Sequence, residues 1–136
     1  MVAKPRKPAP LERDVLRSCL AVLRALGVAA ERQNTGAVAM RDKHGKSRLV
    51  RFGQAGNLDI RGILDGKPLE VEVKRPGNRP TEKQYQRMAF IASQGGIAFW
   101  VDDAKTLEAV VRGVRDGMQV KINADGDTVL AKGSGQ

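Results

Sequence analysis

A single cysteine and a single histidine leave this 136-residue chain short of most metal and thiol chemistry. Cys19 has no partner for an internal disulfide, and with His44 it falls well short of a multi-cysteine zinc site. No apolar run approaches membrane-spanning length, and the Lys- and Pro-rich N-terminus lacks the apolar segment of a signal peptide, so the chain reads as soluble and intracellular, with no membrane partner. Aromatic residues are scarce at 4%, yet the 41% hydrophobic content suits one globular domain with a modest core. Acidic residues are outnumbered 15 to 24, for a net charge of +9. That balance favours a polyanionic partner.

The basic excess is clustered. Lys4, Arg6 and Lys7 sit in a Pro-rich segment that cannot form a helix; residues 1–9 read as a flexible basic arm. From Arg41 to Arg51 stand Arg41, Lys43, Lys46, Arg48 and Arg51 against Asp42 alone. From Lys74 to Arg87 stand Lys74, Arg75, Arg79, Lys83 and Arg87 against Glu82. A surface that served only solubility would mix its signs more evenly. Residues 10–115 carry the periodic segments of a domain, and 116–136 read as a C-terminal extension with a small hairpin around Asp125-Gly126 and no structure over 131–136.

A helix is expected from about Pro10 to Leu26, stopped by Gly27. At 100° per residue Leu11, Val15, Leu16, Cys19, Leu20, Val22, Leu23 and Leu26 form one apolar arc. Cys19 is thereby a small core residue. Glu12 falls inside the arc. Either it leans back to solvent at the favourable end of the helix dipole, or it points inward and needs a partner. A second helix, from about Thr81 to Gln94, opens with Thr81 and Gln84 at capping-box spacing; its apolar arc is Tyr85, Met88, Ala89, Ile91 and Ala92. Gln84 lies within that arc, as a satisfied cap or as a side chain aimed at the sheet. A third helix is expected over Ala104 to Val114.

Between the first two helices the pattern changes to strands. Val38–Met40 and Arg48–Phe52 flank a polar turn at Asp42–Lys46; His44, in that turn, reads as solvated. Asn57–Leu64 and Lys67–Lys74 flank Asp65-Gly66, a strong two-residue hairpin signal, so they are antiparallel neighbours. Leu69, Val71 and Val73 alternate with Glu70, Glu72 and Lys74. Hairpin register then sets Asp59 opposite Glu72. Ile97–Val101 is apolar throughout, as in a strand covered on both faces. The order strand-strand-helix-strand-helix makes an α/β fold with a mixed sheet.

An Asp on one strand facing Glu-x-Lys on the next suits a hard divalent cation, which takes carboxylate and carbonyl oxygens. Asp59, Glu72 and the Val73 carbonyl are the expected ligands, with Glu12 as third carboxylate. Lys74 is a point charge able to orient water and offset phosphate charge, and Gln84 could fix the lysine or the water. Phosphodiester hydrolysis needs those functions, and Mg²⁺ or Mn²⁺ supplies the charge. The basic residues Arg41, Lys43, Lys46, Arg48, Arg51, Arg75, Arg79 and Lys83 would hold nucleic acid through phosphates, contacts that position without reading sequence. Glu70 lies one step further from the metal and outside the site.

Gly56-Asn57-Leu58-Asp59, Glu72-Val73-Lys74 and Gly77 to Gln84 together resemble the VRR-NUC branch of the PD-(D/E)XK nucleases, across about Leu11 to Val114. Leu58 stands where many relatives have Pro, a change that suits a strand. The resemblance implies a restriction-endonuclease-like αβββαβ core, Mg²⁺ or Mn²⁺ dependence, and catalytic roles for Glu12, Asp59, Glu72, Lys74 and Gln84. It further implies a structure-selective endonuclease of the short stand-alone type, found in the cytoplasm of bacterial or phage-infected cells. A homodimer acting on branched DNA such as four-way (Holliday) junctions is part of that implication. The competing reading is a non-catalytic nucleic-acid-binding module of the same fold; three inward carboxylates facing phosphates argue against it.

Overall fold

The computed structural model describes residues 8–33, 36–52 and 57–133. Its helices begin where the sequence supplies N-terminal signals. Helix α1 (Glu12–Ala25) sets Glu12 and Asp14 in its first turn, at the positive end of the dipole, and buries Val15, Leu16, Cys19 and Leu23. Helix α2 (Glu82–Ser93) starts from Thr81 with the full capping box to Gln84. Helix α3 (Ala104–Arg115) starts from Asp103, whose side chain accepts the Thr106 N–H at 2.6 Å, and buries Leu107, Val110, Val111 and Val114.

Four strands form the central sheet, in the order β1 (Ala29–Arg32), β4 (Ile60–Leu64), β5 (Lys67–Val73) and β6 (Ile97–Val101). The first three are antiparallel, and β6 joins β5 in parallel through the α2 crossover. At the β4–β5 turn Asp65 and Gly66 both take positive φ, 54° and 76°, as the tight hairpin requires. Ile60 faces Val71 and Arg61 faces Glu70, which is the register read from the sequence. Asp59 itself stands one residue ahead of β4 rather than within it.

Two differences from the sequence reading reshape the sheet. Strand β1 was not expected; it pairs with β4 and supplies the first strand of the core. The pair β2 (Gly36–Arg41) and β3 (Ser47–Phe52) does form, with the polar turn as expected, but as a separate two-stranded ribbon inserted between β1 and β4. Without that insertion the order is α1-β1-β4-β5-α2-β6, an αβββαβ core followed by α3.

One face of the sheet packs under α1 and α3. Val15, Cys19 and Leu23 meet Ile60, Leu69, Val71, Val73, Phe99 and Val101 there, with Leu107 and Val111 from α3. Burial, reinforced by Asp103, pushes the Cys19 thiol up to about 12, so it serves as an inert core side chain. The other face meets α2, where Met88 and Ile91 pack against Leu58, Ala98 and Trp100. Ala89 and Ala92, expected in that contact, are exposed. All five residues of β6 are buried, as its continuous apolar run requires.

Strands β7 (Met118–Ile122) and β8 (Thr128–Lys132) form the expected C-terminal hairpin, and pairing extends to Lys132. Ala131 and Lys132 are therefore in a strand, whereas residues 131–136 were expected to lack structure; 134–136, like 1–7 of the basic arm, lie outside the described residues. The hairpin is fastened to the α2–β6 layer. Trp100 Nε1 and Tyr85 Oη both donate to the Gly126 carbonyl, at 2.8 and 2.9 Å, and Thr128 Oγ1 donates to the Trp100 carbonyl at 2.6 Å. Among the described residues no helix is long and apolar enough to cross a membrane.

At Gly62, strand β4 lies tight against β1. A Cβ there would be driven into the Ala29 carbonyl oxygen and to within 3.0 Å of Ala30 Cα, both backbone atoms with little freedom to yield. Gly62→Ala is expected to destabilise the fold by about 1–3 kcal/mol, read as a lower urea midpoint with an unchanged slope.

Candidate metal centre

The sheet ends at β4–β5 with side chains in place of ladder bonds. Asp59 and Glu72 would be the next facing pair, and each uses its carboxylate on the other's strand. The Asp59 N–H donates to Glu72 Oε1 at 3.2 Å, and the Val73 N–H donates to Asp59 Oδ2 at 2.9 Å. This reciprocal clamp explains why hairpin register alone locates the pair. Glu12 arrives from the first turn of α1, across the sheet end. One oxygen from each of Glu12, Asp59 and Glu72 lies within 4.8 Å of the others.

Glu72 is the centre of the arrangement and, among the described residues, the one charged residue in the buried set, at 1% exposure. Gln84 Nε2 donates to its Oε2 at 2.6 Å, and Lys74 Nζ lies 3.2 Å from the same oxygen. Lys74 is therefore pinned, with its side chain 12% exposed, rather than the mobile charge that its chemistry alone suggests. Burial first, then the Asp59 carboxylate, push Glu72 up to about 8, and the Lys74 ammonium offsets part of that. The fit to a divalent cation lies in the donor set: three hard carboxylate oxygens, from Glu12, Asp59 and Glu72, within 4.8 Å of one another.

The two ambiguous side chains both reach the cluster. Glu12 stands at the dipole-favoured start of its helix and also joins the cluster. Gln84 Oε1 accepts the Thr81 N–H at 2.9 Å to complete the capping box, while its amide nitrogen donates to Glu72. These roles separate by mutation. Thr81→Ala removes the cap alone, at about 1 kcal/mol. Gln84→Ala removes a cap bond and also a charge-assisted bond to a buried carboxylate, so it is expected to cost about 2–3 kcal/mol in chemical denaturation.

Sequence reasoning missed the support beneath Asp59. The Gln33 N–H donates to the Asp59 carbonyl at 2.7 Å, and Gln33 Nε2 donates to the Leu58 carbonyl at 3.0 Å. Gln33 follows a short exposed strand, and no local pattern signals such a role. Glu70, left outside the site, is paired with Arg87 at 2.7 Å.

The basic residues divide. Arg41, Lys43 and Lys46 are exposed at the end of the β2–β3 ribbon, and Lys83 is exposed on the first turn of α2. Arg48 and Arg51 are on β3, with side chains outside the described residues. Arg75 reaches the Ala9 carbonyl at 3.5 Å. Arg79, expected at a phosphate, is occupied by the C-terminal hairpin: it donates to the Asp125 carbonyl at 2.7 Å, pairs with Asp127 at 2.8 Å, and lies 5.2 Å from the Trp100 ring centroid. It fastens the loop between Lys74 and Gln84. The Val73 side chain is buried in the core and its N–H is taken by Asp59.

The fold has solved counterparts. A structure titled "VRR_NUC domain" matches 74% of this chain and 94% of its own, with a TM-score of 0.52 and 21% sequence identity. The chain thus has a restriction-endonuclease-like α/β fold of the VRR-NUC type, a four-stranded mixed sheet flanked by helices. No family model matches the sequence, and no curated protein does.

Proposed function

We propose that this chain is a metal-dependent, structure-selective endonuclease that hydrolyses DNA phosphodiesters, with branched DNA, four-way junctions among them, as substrate and a homodimer as the working form. One observation carries the reading: three carboxylates from separate elements, Glu12, Asp59 and Glu72, meet within 4.8 Å beside a pinned lysine. The likeness to a VRR_NUC fold supports it.

Glu12, Asp59 and Glu72, with the Val73 carbonyl, would hold Mg²⁺ or Mn²⁺. When bound, such an ion lowers the pKa of a water and offsets charge on the phosphate and the leaving oxygen. The protein's own groups do the positioning. Gln84 and the Asp59 N–H fix the two oxygens of Glu72, so that carboxylate enters the reaction already oriented. Lys74, on the same oxygen as Gln84, directs its ammonium to the place where phosphate charge grows. Arg41, Lys43, Lys46, Arg48, Arg51, Arg75 and Lys83 supply phosphate contacts along the DNA, and residues 10–115 form the nuclease unit with the C-terminal hairpin as a brace.

The test is incubation with labelled linear, flap and four-way-junction DNA in Mg²⁺, Mn²⁺ or EDTA. The expected result is cutting that requires metal and favours branched DNA. Binding without cutting in every metal supports the non-catalytic module instead. Sedimentation of the free protein checks the dimer.

A further inference from the structure

Helix α2 covers only the β5–β6 half of its face of the sheet. Beside it, over β1 and β4, lies an open groove of about 520 Å³ whose lining includes Gln33, Arg61, Ile63, Pro68, Glu70 and Arg87. We propose that this groove receives the unpaired base of the nucleotide adjoining the phosphate at the carboxylate cluster. The inference rests on the nuclease reading above and names the feature of the substrate that would be selected.

Position is the first argument. Glu70 lines the groove and Glu72 the cluster; they lie on one face of β5, two residues apart, or about 7 Å. Gln33 joins the two places directly, since it lines the groove while its main-chain N–H holds Asp59 and its amide holds Leu58. A strand whose phosphate sits at the cluster therefore has the groove within reach of its neighbouring base.

Charge is the second. The chain carries +9, yet the groove is balanced: Arg61 pairs with Glu31 at 2.8 Å, and Arg87 with Glu70 at 2.7 Å. A phosphate gains little there, whereas a neutral planar group loses nothing. The lining chemistry agrees. Ile63, 59% exposed, and Pro68 offer apolar contact for the flat face of a base. Arg87 meets Glu70 through two nitrogens, Nε at 3.3 Å and a terminal nitrogen at 2.7 Å, which uses the guanidinium edge; one face of the guanidinium lies over the Phe90 ring, 5.8 Å from its centroid, and a base would stack on the other. The carboxamide of Gln33 and the carboxylate of Glu70, 3.5 Å apart, are groups that read base edges.

A base locked in a duplex would have to be unstacked to enter, at a cost of a few kcal/mol that an unpaired nucleotide largely avoids. Selectivity for flaps, forks and junctions then follows from the groove itself.

The experiment uses the full chain. The cleaved bond in a flap substrate is mapped with Mg²⁺ or Mn²⁺. Affinity is then measured in EDTA on the same flap with a single abasic site moved along the cut strand. One position adjoining the cleaved phosphate is expected to weaken binding roughly tenfold, the size of one lost stacking contact. Ile63→Ala, at an exposed position that leaves the core untouched, and Arg87→Gln are each expected to weaken binding of the intact flap and to blunt that abasic response. A flat abasic scan, or a response unchanged in both variants, overturns the groove while leaving the nuclease reading intact. Failure to cut any substrate with metal present overturns the nuclease reading and this proposal with it.

Discussion

Lys74→Ala is expected to lower the rate of DNA cleavage by about 10²–10³-fold while leaving DNA affinity in EDTA within a few-fold of the parent. The ammonium is held 3.2 Å from Glu72 and is largely withdrawn from solvent, so its charge acts at reduced dielectric. Removing it takes away charge stabilisation that matters most as the phosphate becomes more negative, and such a loss falls on kcat rather than on binding. The exposed basic residues give the opposite pattern. Reversing Lys43 and Lys46 together is expected to weaken DNA binding and reduce its salt dependence, with the single-turnover rate at saturating protein preserved. Equal losses of binding and rate in Lys74→Ala would reassign it to substrate holding. Full activity in that variant would remove it from the reaction. The fold readout is a thermal melt, because the substitution also strips Glu72 of the Lys74 ammonium.

The second large effect is on stability. Glu72 is pushed up to about 8 in the folded protein, against an ordinary value of 4.5. The folded state therefore holds this proton over a range in which the unfolded chain has released it. The associated stability is fully present below about 4.5 and is lost as pH rises through about 8. The amount is on the order of a few kcal/mol. A divalent cation works in the other direction, since it takes the carboxylates in their ionised form and displaces that proton. The rise in melting temperature on adding Mg²⁺ or Mn²⁺ is thus expected to be small near pH 5.5 and to grow toward pH 8.5. Glu72→Gln stays neutral at every pH, and in that variant both the loss of stability over this window and the growth of the metal effect are expected to shrink. A metal effect equal at both ends of the range, or undiminished in Glu72→Gln, would place the ion elsewhere.

The centre of the site was legible because its determinants are local. Asp65-Gly66 fixes one turn, the turn fixes register, and register sets Asp59 against Glu72. Thr81 and Gln84 are likewise three residues apart and declare a helix start from sequence alone. What escaped notice depends on distant chain. Strand β1, Ala-Ala-Glu-Arg, has neither β-branched residues nor alternation, and it is a strand because β4 offers it an edge, with Gly62 allowing the close approach. Gln33 acquires its role only through that pairing. Arg79 reads as a phosphate ligand from the charge around it; its ion pair with Asp127, 48 residues further along, is what no local pattern announces. The arc of α2 is half exposed because the helix meets the sheet through Met88 and Ile91 and turns Tyr85 toward the hairpin.

The attachment of that hairpin has a consequence for the order in which the protein becomes competent. Synthesis reaches Glu12, Asp59, Glu72, Lys74 and Gln84 well before it reaches Gly126 and Asp127. A nascent chain halted after α3 owns the complete proposed chemistry, yet Arg79 has no carboxylate to anchor it, and neither Tyr85 nor the Trp100 indole has its carbonyl. The loop joining Lys74 to Gln84 then lacks its outer fastening. Emergence of the last two strands is thus the event that secures it, after every residue of the carboxylate cluster has been made.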